Sequence, residues 1–159
     1  METSHILTQL WDYGWIYRDH VKIARASSDT AAIEHYVASP KFHGSFLPNY
    51  NDETGIHGPF VADRISATDF VPLKESEIGE YLKSVQISDA PGTDLAEQAK
   101  MMSHLRVAFK GGHNCYVLRR DERDHELFHD WGYVLFVFRE FLFVSAERDA
   151  IMRFVIGYD

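Results

Sequence analysis

A single cysteine, Cys115, stands among the 159 residues, so no internal disulfide can form, as expected of a protein kept in a reducing cytosol. Long apolar runs are also missing. The longest, YVLFVF at 133–138, is far too short to cross a bilayer, which argues against a membrane-spanning protein. The opening stretch METSHILTQLWDYG has no basic segment leading into an apolar one, so no signal peptide is read there. Together these features predict a cytoplasmic protein.

Positive charge is scarce. The formal net charge is -8 and the pI about 5.5, whereas nucleic-acid binding depends on clustered lysine and arginine. Arg106, Lys110, Arg119, Arg120 and Arg123 come closest to a cluster, but Asp121, Glu122 and Asp124 dilute it. The group reads as a solvated face, and no nucleic-acid partner is expected. The chain has no G-x-S-x-G, P-loop or dinucleotide fingerprint. FKGGHNC at 109–115 is glycine-rich, but it follows a helical pattern where a phosphate cradle would open one.

What the chain does have is apolar and aromatic material for one core: 45% of residues are hydrophobic and 14% aromatic. That suits one domain over 1–159. Ile6, Leu7, Leu10 and Trp11 fall on one face of a helix that Thr3 or Ser4 would cap and Gly14 would end. Around 20–26, HVKIARA alternates as a strand would, with a helix as the alternative. Ser28 or Asp29 is placed to cap a helix over TAAIEHYVA, closed by Pro40. Two more helices are read at ESEIGEYLKSV and from Leu95 to Phe109, the second stopped by Gly111-Gly112.

The last third is rich in Val, Ile, Phe and Tyr. NCYVLRR, GYVLFVFR, EFLFVSA and AIMRFVIGY read as strands, with ERD at 147–149 as a hairpin tip. YVLFVF shows no alternation, so it should be covered on both faces, by helices or by a second copy in a homodimer. The expected fold is therefore a single α+β domain, its mainly helical N-terminal two-thirds packed on a C-terminal antiparallel β-meander.

Two segments carry functional candidates. His125-Glu126-Leu127-Phe128-His129 spells H-E-x-x-H. On an α-helix, His125 and His129 would point the same way and share a zinc while Glu126 polarised its water. The charged flanks and the short span between two strands favour a polar loop anchored by Leu127, Phe128 and Trp131. The second segment is the loop 39–59, where His43, Phe46, Tyr50 and His57 mix aromatic and polar groups suited to contacting a protein. The leading expectation is thus a small acidic binding protein without cofactor, regulatory or toxin-neutralising in kind, that meets a protein partner. The alternative is a zinc-dependent hydrolase using Glu126, His125 and His129.

Overall fold

Strands β1 (Ile6–Trp11) and β2 (Gly14–Lys22) pair antiparallel where the sequence suggests a helix ending at Gly14. The computed structural model describes residues 6–11, 14–47, 54–84, 95–120, 123–132 and 137–158. Helix α1 (Asp29–Val37) follows, with the Ser28 hydroxyl accepting from the Ala31 amide at 3.1 Å, as its capping chemistry requires. A two-residue ribbon of β3 (Ile56–His57) and β4 (Phe60–Val61) leads through two 3-10 turns to β5 (Phe70–Pro72). Helices α2 (Ile78–Ser84) and α3 (Leu95–Lys110) precede β6 (Asn114–Leu118), β7 (Val137–Val144) and β8 (Ala150–Tyr158).

Six strands form one sheet in the order β1-β2-β8-β7-β6-β5, with every pair antiparallel. The expected meander exists as β6-β7-β8, but it is the middle of a larger sheet. The N-terminal two-thirds is not mainly helical: it contributes β1 and β2 at one edge and β5 at the other. The reason lies in the register. β2 pairs with β8 over its whole length, from Gly14 opposite Tyr158 to Lys22 opposite Ala150. Local spacing in 6–11 fits a helical face; its strand state follows from pairing with β2, and β2 is held by β8, a partner more than a hundred residues away that nothing local reports.

GYVLFVFR and EFLFVSA, read as two strands, merge in part into the single strand β7, which runs through Arg139 and Glu140. Every residue of β7 is buried, and the cover comes from this same chain. On one face, Phe138, Leu142 and Val144 pack with Trp15, Tyr17, Ile33, Tyr36, Phe42 and Phe46 from β2, α1 and the segment after it. On the other, Phe141 and Phe143 pack with Ile78 and Leu82 of α2 and with Met101, Leu105 and Ala108 of α3. Burying one such phenylalanine contributes about 1.5–3 kcal/mol. Of the run YVLFVF, Val137 and Phe138 are thus buried within this chain, and residues 133–136 lie outside the described residues. Among the described residues no helix is long and apolar enough to cross a membrane.

Candidate functional site

The sheet face beneath α1 carries three charged side chains where alternation calls for apolar ones. Asp19 of β2 and Arg153 of β8 are directly opposed in the ladder, and Glu140 projects from β7 on the same side. Arg153 Nε donates to Asp19 Oδ1 at 2.9 Å and Nη2 to Oδ2 at 2.6 Å, a bidentate pair. Its Nη1 donates to the Lys41 carbonyl at 2.7 Å and to Tyr36 Oη at 2.9 Å. Tyr36 Oη in turn donates to Glu140 Oε1 at 2.6 Å. Glu140 Oε2 lies 2.5 Å from His57 Nε2, and His57 Nδ1 lies 2.6 Å from the Phe42 carbonyl.

Hydrogen-bond roles along this chain are fixed by its end. A carbonyl only accepts, so Nδ1 of His57 is the donor to Phe42. One proton is then held between Nε2 and Glu140 Oε2, whichever atom it is drawn on. Counted with Asp19 and Arg153, the enclosed set is electrically balanced, the condition under which buried charges are tolerated. Burial pushes the Tyr36 hydroxyl well above its ordinary range, so it stays a donor. Burial also opposes the charge on Arg153, but attraction to Tyr36, Asp19 and Glu140 outweighs it and raises the guanidinium's pKa. Phe46 closes the set, its ring 4.6 Å from the Arg153 guanidinium carbon. It holds this position with a φ of +58°, in the left-handed region that non-glycine residues rarely enter.

These contacts decide the fate of the loop candidates. His57 and Phe46 are core residues at 0% and 1% exposure, and the Phe42 ring stacks on the His57 imidazole at 3.8 Å. Neither side chain can meet a partner. His43 is partly exposed, and its Nδ1 accepts from the Gly55 amide at 3.0 Å. Tyr50 lies outside the described residues.

The H-E-x-x-H segment is not an α-helix. His125–Leu127 form one 3-10 turn, and Phe128 is already extended at φ -71° and ψ 145°. His129 Nε2 bonds the Gly58 carbonyl at 2.9 Å, and its Nδ1 accepts from the Trp131 amide at 3.4 Å. Both imidazole nitrogens are thus engaged, Nε2 anchoring the segment to the turn between β3 and β4 and Nδ1 bracing the segment itself. Glu126 is exposed, and among the described residues no group of three His, Cys, Asp or Glu is arranged to hold a metal ion.

A cavity of about 610 Å³ opens on the other face of the sheet, between α2 and the ends of β5, β6 and β7. Arg119, Arg120, Arg123 and Arg139 line it, with Glu77 and Glu80 from the α2 side. Its apolar wall includes Leu73, Tyr81 and Val117. Arg120 is held in place by Asp69 at 2.9 Å and, more distantly, by Asp124 at 3.8 Å. Arg139 is buried and donates through Nη1 to the Phe138 carbonyl at 2.9 Å. Arg119 is exposed, and its side chain has no hydrogen-bond or ion-pair partner among the described residues.

Comparison with protein-family models, with curated proteins and with solved structures finds no match to this chain. The site is therefore argued from its own geometry. Its arginines were visible in the sequence: Arg119, Arg120 and Arg123 belong to the group read as a solvated face. What the sequence missed was Arg139, which sits within an apolar run and reaches the other three only because β7 pairs with β6. A charged pair inside an apolar strand, Arg139-Glu140, was the available signal, since burying a charge is costly unless the fold has a use for it.

Proposed function

We propose that this is a non-catalytic binding protein that grips an anionic group at the arginine-lined cavity. One observation carries the reading: a chain of net charge -8 gathers four guanidinium groups around one recess of about 610 Å³. Guanidinium forks match carboxylate and phosphate oxygens bidentately. A recess of this size is in the range of small-molecule sites.

Binding is preferred to catalysis because the closest acid–base pair among the described residues, His57 with Glu140, is fully enclosed and committed to its own network. The protein partner expected through the loop 39–59 loses its basis in Phe46 and His57, which are both buried. A regulatory role is one that such a binder can fill. A cytoplasmic setting belongs to the same reading, supported by Cys115 as a buried free thiol whose pKa burial raises.

Calorimetric titration with inorganic phosphate at fixed ionic strength tests the proposal. Saturable binding that falls at least about tenfold in Arg119→Gln/Arg139→Gln is expected, since charge-assisted bonds are each worth roughly 1.5–3 kcal/mol. No saturable binding, or equal binding by the double variant with its fold intact by circular dichroism, would sink it.

A further inference from the structure

Resting on that reading, we infer that the occupant of the cavity is a small charge-separated zwitterion, with an oxyanion at the arginines, an ammonium group at Glu77 and Glu80, and an apolar body between. The two acidic residues stand three apart where the 3-10 turn Glu75–Glu77 runs into α2, so they share a face. Both line the same recess as the arginines. Among the described residues neither forms an ion pair with any of those arginines, although both signs of charge line the same open recess. Glu77 is anchored, its Oε2 accepting from the Lys74 amide at 2.8 Å, while the Glu80 carboxylate has no partner among the described residues.

The glutamates and the arginines thus line one recess without pairing with each other. A simple anion would meet the exposed Arg119 guanidinium and place its remaining atoms beside two carboxylates, which an ammonium group converts from a cost into an attraction. Tyr81 and Leu73 suit a short hydrocarbon link. The Tyr81 ring is itself held edge-on against Phe141 at 5.6 Å, so that wall is preorganised.

Three probes of equal carbon length separate the possibilities: hexanoate, hexylammonium and 6-aminohexanoate, titrated into the full chain and into Glu80→Gln. The zwitterion is expected to bind at least about tenfold tighter than hexanoate. Glu80→Gln should bring the two within roughly twofold, because it weakens the ammonium contact and relieves the cost that hexanoate meets beside the carboxylate. If hexanoate binds as tightly as 6-aminohexanoate, or Glu80→Gln leaves their ratio unaltered, the zwitterion inference is overturned and the anion reading stands. If neither hexanoate, 6-aminohexanoate nor inorganic phosphate binds, the anion reading itself falls and takes this inference with it.

Discussion

Glu140 and His57, 83 residues apart in the chain, meet at 2.5 Å with neither side chain exposing any surface. The contact ties the central strand β7 to the short ribbon of β3 and β4, and through Tyr36 and Arg153 it extends to α1, β8 and β2. A network of this kind adds little net stability over apolar packing, but removing one member strands the others.

Glu140→Ala should therefore cost about 3–5 kcal/mol, because the Tyr36 hydroxyl and the His57 imidazole both lose their acceptor in a dry interior. Urea unfolding measures it. A loss under about 1 kcal/mol would mean that water reaches the site and that the enclosure is wrong.

Asp19 and Arg153 test coupling. Each of Asp19→Ala and Arg153→Met should be strongly destabilising alone, and the double variant should cost clearly less than the sum, since no lone buried charge remains. Strict additivity would show that the two side chains do not act as a pair.

Packing at the sheet centre predicts about 3–5 kcal/mol lost in Phe141→Ala, a residue at 0% exposure between two covered faces. Gly58→Ala should also destabilise. Gly58 has a φ of +54°, and an added Cβ would stand 2.4 Å from the Phe138 ring. Thermal melting within error of wild type for either would contradict the packing.

Asp29 predicts a pH dependence. Its carboxylate is partly desolvated, which alone would raise its pKa, but bonds from Arg148, Asn114 and Tyr116 outweigh this and hold it below the ordinary 3.8. A folded pKa below the unfolded one gives stability that is fully present above the unfolded value and is lost as pH falls through the folded one. Melting temperatures of wild type and Asp29→Asn should accordingly converge as pH drops below about 4. A constant gap from pH 6 to pH 2 would rule out this linkage.

Added zinc tests the H-E-x-x-H segment. Because both nitrogens of His129 are engaged and the segment is a single 3-10 turn, zinc should leave the melting temperature unchanged. A rise that disappears in His125→Ala would show that the segment can rearrange into a metal site.

Features governed by neighbours in the chain were legible. Ser28 caps α1 because its hydroxyl reaches an amide three residues on, and Gly112, at φ +73°, follows the end of α3 as its lack of a Cβ allows. The tip at 147–149 closes β7 onto β8, with the Ser145 hydroxyl accepting from the amides of Asp149 and Ala150. β1 was not legible. Ile6, Leu7, Leu10 and Trp11 satisfy a helical spacing, and their strand state depends on pairing with β2, itself set by β8.

The sequence by itself determined the apolar material for a core, the Ser28 cap of α1, the strand character of the C-terminal third and the presence of unusual charges within it. Those are consequences of composition and of contacts a few residues long. Tertiary structure decided which charges face each other. Asp19 meets Arg153, Glu140 meets His57, and Arg139 joins Arg119, Arg120 and Arg123, because strand pairing fixes which faces coincide and a one-residue change of register would send each side chain to the opposite face.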